Sequence, residues 1–272
     1  MHFALVAAFA GLLAFPLPQK DKPAAADPKQ VEAAVKDLDA AFKDGKTPER
    51  VAAIRKNYQI ADKKVVDAIS KGLKDNDLEV QLAAVDALGR NAHPEALNDL
   101  HNFYRSEVKR LKDDMRLMPM VIQAIGRQGN EKSIEILSDD LFSQRTFPAV
   151  KARMWGLANI RSKKSIDAIT EMMNKVGNEK LQDFMPTIRV ALLRLTGVDN
   201  GSDPQMWLAW WRKNDKSFEV PKEAPKMPEI AEKAWIEYWG APPGEDPSKE
   251  TAEPSKTGDP RRENGEGEKK KG

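Results

Sequence analysis

Leu82-Ala83-Ala84-Val85-Asp86-Ala87-Leu88-Gly89-Arg90, followed after three residues by Pro94-Glu95-Ala96-Leu97, is the stretch whose reading decides the fold. Alanines at 83, 84 and 87 alternate with Leu82, Val85 and Leu88 at helical spacing, and a second apolar run begins past a short turn. The phrase returns as Val121 through Ile134, as Arg153 through Ile166 and, upstream, as Val51 through Val66. Aligned on their last apolar residues, Val66, Leu97, Ile134 and Ile166, successive copies lie 31, 37 and 32 residues apart. A period of this length with two helices per copy describes stacked helical hairpins, because one hairpin alone leaves an apolar face wet. Alanines let neighbouring helices approach closely, while Leu, Ile and Val fill the seam between them.

Helix boundaries are clearly punctuated. Asp27-Pro28, Thr47-Pro48, His93-Pro94 and Asp203-Pro204 each place a capping residue before a proline, whose missing N–H costs nothing in a first turn. Gly72, Gly89, Gly126, Gly129, Gly177 and Gly197 fall at or near helix ends. The pattern predicts helices over 29–44, 48–58, 63–74, 78–90, 94–112, 115–128, 131–142, 148–161, 163–176, 184–196, 204–213 and 229–239. Met185-Pro186 stands to Leu192 as Met118-Pro119 stands to Ile125, so both prolines are expected in a first turn or at a kink. The expected fold is an all-α, right-handed α-solenoid of about five hairpins over 27–200. An aromatic C-terminal cap at 201–240 includes a Pro- and Lys-rich linker at 214–228, and 241–272 has the composition of a disordered tail.

Ala87-Leu88-Gly89-Arg90 and Ala124-Ile125-Gly126-Arg127, each followed by a turn and a new helix, resemble HEAT or HEAT-like repeats, and the resemblance covers residues 47–200. The segment Leu195-Thr196-Gly197, Asp203-Pro204, Trp207 and Trp210-Trp211 is similar to the closing segment of many exported bacterial HEAT-repeat proteins. What the resemblance implies is an interaction scaffold, with no substrate fixed by it.

Composition limits the chemistry. Lys and Arg total 44 against 42 Asp and Glu, a net +2, which gives no electrostatic footprint for nucleic acid. The chain has no cysteine, so disulfides, thiolate metal sites, a cysteine nucleophile and a lipobox are excluded. Besides His2 there are only His93, at a helix start, and His101, eight residues along the same helix. Deoxyhypusine hydroxylases, an enzymatic group with HEAT-like repeats, use repeated His-Glu pairs as iron ligands. Here His93 precedes Pro94 and His101 precedes Asn102, so that pattern is missing. Asp199 to Asp203 lacks the spacing and closing Glu of a calcium loop. No catalytic residue, metal site or cofactor is assigned.

Phe3 to Phe15 is almost wholly apolar, the length of a secretory signal core and too short for the ~20 residues of a spanning helix. Residues 1–26 are therefore expected to be a signal peptide, with Ala24-Ala25-Ala26 a small-residue cleavage context and a membrane-retained signal as the alternative. That places the protein in the periplasm or cell envelope, with no transmembrane span once the segment is removed.

Two features carry functional expectations. Arg90, Arg127, Asn159 and Arg194 are read as equivalent positions at the ends of successive inner helices. Stacking would bring them into a row able to read carboxylates or a peptide backbone, the alternative being a solvated rim paired with nearby acids. Trp207, Trp210 and Trp211 stand at i, i+3 and i+4, and Trp235, Tyr238 and Trp239 repeat the spacing; five of the six tryptophans lie after residue 200. Two such stripes packed together would seal the open end of a solenoid, while exposed rings would suit a cell-wall glycan. The leading expectation is a non-catalytic scaffold of the bacterial cell envelope that binds a protein or peptide across one stacked-helix face. A glycan-binding module at the Trp-rich end is the alternative, and a HEAT-like lyase or hydrolase a weaker one.

Overall fold

A computed structural model describes residues 25–139, 147–176 and 178–240. The expected tail at 241–272, Gly177, nearly all of the expected signal segment and the end of the helix expected at 131–142 lie outside these residues. Among the described residues there are twelve α-helices: α1 Pro28–Asp44, α2 Thr47–Asn57, α3 Lys63–Ser70, α4 Leu78–Arg90, α5 Pro94–Leu111, α6 Leu117–Arg127, α7 Ile134–Ser138, α8 Phe147–Asn159, α9 Lys163–Lys175, α10 Asn178–Thr196, α11 Pro204–Asn214 and α12 Glu229–Trp239.

Local chemistry explains five of the helix starts. The side chains of Asp27, Asp62, Asp77, His93 and Asp203 each accept from a backbone N–H two residues on, satisfying a donor the helix cannot. Thr47 is different from expectation. Its hydroxyl donates to Asp77 Oδ2 across to the next hairpin (2.7 Å), and the N–H of Lys46 is taken instead by Glu49 (2.6 Å). α10 also begins earlier than expected, so Pro186 sits inside the helix rather than in its first turn. There the ring removes the N–H that would reach the carbonyl of residue 182.

The helices form two layers. α2, α4, α6, α8 and α10 stack side by side as the inner layer, α4 against α2 and α6, α8 against α6 and α10. α3, α5, α7, α9 and α11 make the outer layer, so the all-α solenoid consists of five hairpins with α1 packed on the first. The core runs unbroken between the layers, from Leu38 through Ile54, Leu88, Ile125 and Leu157 to Leu192, all at most 1% exposed.

Glycine sets the spacing of the inner layer. Gly89 and Gly126, read from sequence as lying at or near helix ends, are each next to the last residue of their helix. A Cβ on Gly89 would stand 2.7 Å from Ala124 Cβ, and one on Gly126 would stand 2.5 Å from Gly156 Cα. These are contacts between helix backbones, which no rotamer change relieves. Gly129 and Gly197 are the residues that end helical segments, with φ of 63° and 74°.

Among the buried polar residues are two ionisable side chains, His101 and Arg153. His101 on α5, 6% exposed, places Nε2 2.9 Å from Ser133 Oγ, joining the second hairpin to the third. Burial, aided by Arg105 and Lys132, pushes its imidazole pKa down to about 4. Arg153, midway along α8 and 0% exposed, donates to the carbonyl oxygen of Ile136 and to Tyr104 Oη, the latter at 2.9 Å.

Replacing Gly126 with alanine should lower unfolding free energy by about 2 kcal/mol in urea titration, overpacking outweighing the ~1 kcal/mol that alanine gains in helix propensity. A neutral or stabilising effect would contradict the close contact. His101 is neutral in the fold and takes a proton in the unfolded chain below pH ~6.5, so stability falls as pH drops from there toward 4. His101→Asn should remove roughly 2 kcal/mol of that fall, read as the difference between the two proteins' stability-versus-pH curves.

Candidate interaction surface

The inner layer offers a face built from the last turns of successive helices. Asp86 on α4 holds two arginines there: Arg90 Nε donates to both its oxygens at 3.1 Å, and Arg127 Nη1 donates to Oδ1 at 2.9 Å. Both arginine side chains are 15% exposed and Asp86 is 27% exposed, so the cluster is largely withdrawn from water. Burial and the neighbouring Arg90 charge lower the Arg127 pKa from its ordinary value, with Asp86 opposing them.

This face is occupied by the chain's own C-terminal helix. α12 lies across α10, α8 and α6 in that order. Arg194 Nη1 reaches both carboxylate oxygens of Glu232 at 3.4 Å. Trp155 of α8 meets Trp235 at 5.4 Å and Tyr238 edge-on at 4.7 Å between ring centroids. At the far end, Gln123 Nε2 donates to the carbonyl oxygen of Tyr238 (2.7 Å) and Arg127 Nη2 to that of Trp239 (3.1 Å). Those carbonyls belong to the last turn, where a helix has no internal donors and carries its negative dipole end. Three cations cover the rings: Arg194 over Trp235 at 5.0 Å, Lys151 over Trp155 at 4.1 Å and Arg127 over Trp239 at 6.0 Å. Burial lowers the Lys151 pKa and raises that of Tyr238.

Asn159 departs from the row. Its Nδ2 donates to the carbonyl oxygens of Gly126 (3.0 Å) and Arg127 (3.3 Å), closing the end of α6. By role it matches Gln128, which donates to Leu88, Gly89 and Asn91, and Asn91, which donates to Tyr58 and Ile60. Each of these amides caps the inner helix before it, supplying donors that the helix end lacks. The alignment read from sequence was therefore one residue out at Asn159, which belongs with Asn91 and Gln128 rather than with Arg90 and Arg127.

Residues 36–114 match the family model of HEAT repeats, and they span the two hairpins α2 to α5 whose stacking has just been described. Over these residues the chain is a HEAT-like repeat array. No curated protein matches the chain.

Beyond the HEAT-like match, the two aromatic stripes go to different places. Trp207, Trp210 and Trp211 on α11 cover the last hairpin. Trp210 and Trp211 meet Phe218 edge-on at 5.4 and 5.8 Å, and Trp211 Nε1 donates to Asp167 of α9 at 3.0 Å. Trp235, Tyr238 and Trp239 instead cover the inner layer through Trp155, so the expected seal of one stripe upon the other is corrected. The connection between them, read from sequence as a linker at 214–228, forms a strap that touches the array. Met227 is 4% exposed, Arg161 donates to the carbonyls of Pro221 and Glu223, and a Cβ on Gly197 would be 3.2 Å from Pro225.

Asp86, Gln123, Lys151 and Trp155 were not singled out from sequence. A usable signal existed in Trp155, the one tryptophan outside the C-terminal segment and set in the fourth copy of the repeat. Asp86→Ala should cost about 1–2 kcal/mol at low salt by leaving Arg90 and Arg127 side by side without their carboxylate, and added salt should recover part of the loss. Thermal melts at two salt concentrations check this; a loss insensitive to salt would argue against charge pairing as its cause.

Proposed function

We propose that the chain is a non-catalytic scaffold of the bacterial cell envelope that binds a protein or peptide partner across its inner-helix face. HEAT repeats act in general as protein-interaction scaffolds, and stacked helices present extended surfaces rather than enclosed pockets. One observation carries the reading. The inner face holds a helix by its backbone carbonyls, through Gln123 and Arg127, and by its rings, through Trp155. That is the chemistry of helix-in-groove recognition, with donors on the groove serving main-chain acceptors of the occupant.

The groove continues past the end of α12. A cavity of ≈ 290 Å³ lies over α2, α4 and α6, lined by Arg55, Tyr58, Glu79, Leu82, Asp86, Arg116 and Met120 among others. Apolar side chains between charges of both signs suit a peptide better than a polyanion. Among the described residues no helix is long and apolar enough to cross a membrane. The envelope assignment rests on the apolar run Phe3 to Phe15. The glycan reading is less well supported: sugar stacking needs an open ring face, and Trp207, Trp211 and Trp235 are 1%, 7% and 6% exposed.

A photo-crosslinking residue at Leu82 or Met120 in cells should give adducts with a defined partner in the envelope fraction, whereas one at Lys64 on the outer layer should not. Combining Arg55→Glu with Arg116→Glu should abolish the adducts. Equal capture from Lys64, or capture that ignores the charge reversals, would overturn the proposal.

A further inference from the structure

α12 rests on the array through its rings, Glu232 and its last-turn carbonyls. Trp235 is its one buried residue, while Ile230 is 86% and Ile236 64% exposed on the side away from the groove. Eleven residues make a marginal helix in water, so α12 owes its helicity to docking. The strap that carries it is irregular in backbone, so α12 can leave without breaking any helix of the array.

The fit leaves hydrogen-bonding capacity unused. Four buried polar atoms at the contact have no partner among the described residues: Arg127 Nε and Trp155 Nε1 on the array, Tyr238 Oη and Trp239 Nε1 on α12. A buried polar atom left unpaired costs about 1–3 kcal/mol. A helix presenting an oxygen to Arg127 Nε and Trp155 Nε1 would therefore bind the same groove better.

Charge says which kind of helix. Arg127, Lys151 and Arg194 face α12, and Arg90 stands beside Gly240 at its end, its Nη2 3.6 Å from where a Cβ would be. Asp86 is the acid paired among them. On α12, Glu232 pairs with Arg194, and with Glu229 and Glu237 it makes the helix acidic against a single Lys233. The groove is cationic and aromatic, and its occupant is acidic and aromatic.

We infer that α12 is a cis occupant of a receptor groove for an acidic amphipathic helix of a partner protein, one bearing Trp or Tyr at i, i+3 and i+4, and that such a helix displaces α12 on binding. This deepens the scaffold reading and rests on it. The incoming helix places its aromatic residues around Trp155 and its last-turn carbonyls on Gln123 and Arg127, as α12 does. Carboxylates on the incoming helix add the contacts to Arg127 Nε and Trp155 Nε1 that α12 leaves unmade.

The test uses the full chain and a fluorescent peptide of residues 229–240, with a scrambled peptide as control. Ile236→Pro breaks α12 from its exposed side and leaves the groove residues intact. The peptide is expected to bind Ile236→Pro at least tenfold more tightly than the natural chain, and adding Arg127→Ala should cost at least tenfold. A second variant, Glu232→Lys with Glu237→Lys, weakens α12 without a helix breaker and should also raise peptide binding. No binding to either variant while both still melt cooperatively would overturn the inference. So would collapse of the array in both variants, which would make α12 a structural lid. A natural chain that is a dimer with α12 exchanged would make the occupant a second copy and overturn it as well. Should peptide binding fail while the Leu82 and Met120 adducts persist, the scaffold reading stands and the assignment of this groove falls.

Discussion

Where α6 meets α8, Gly126 and Gly156 put one backbone directly against another, and the rest of the inner layer depends on that proximity. Gly89 against Ala124 repeats the arrangement one hairpin earlier. With side chains absent at the crossing, the C-terminal ends of neighbouring helices come close enough for an amide on one to cap the carbonyls of the other. Asn91, Gln128 and Asn159 all do this. The same proximity lets a single carboxylate, Asp86, hold arginines from two different hairpins. Close packing thus converts a sequence period into a row of donors.

That row has a consequence at the surface. Donors fixed by capping and ion pairing lose little freedom when they accept an occupant, so the cost of binding falls on the occupant. In this molecule the occupant is α12, whose last-turn carbonyls need donors and whose rings need cover. Under the proposed function, binding is therefore linked to stability. Whatever loosens α12 uncovers Trp155, Arg127 and Lys151 together, and whatever binds them must displace it or complete its hydrogen bonds.

Much of the fold was legible because it is periodic. The 31- to 37-residue repeat, the Asp and His caps and the placement of eleven of the twelve helices to within a few residues all follow from local chemistry, the exception being α10 with its buried proline. What was hidden was long-range or depended on a single residue of register. Gly89 and Gly126 could be placed near helix ends from sequence, but the close approach that needs them is visible only at the crossing partner. Asn159 was misplaced by one position because Leu157-Ala158 imitates the aliphatic-small pair Leu88-Gly89, whereas Gly156-Leu157 stands there once Asn159 is aligned with Asn91. The docking of α12 links Gln123 to Tyr238, 115 residues apart, and no periodic pattern spans that distance. Like spacing in the two aromatic stripes suggested like roles, yet one closes the last hairpin and the other covers the inner layer.

Hydrogen exchange of the intact chain, followed by mass spectrometry, tests most directly whether α12 is an occupant rather than a structural element. Amides of α12 should exchange through a local opening, far faster than those of α4, α6 and α8, with the protection of the inner helices unchanged as it opens. Exchange of α12 in concert with α6 and α8, at the rate of global unfolding, would contradict this and make the helix an integral layer of the fold.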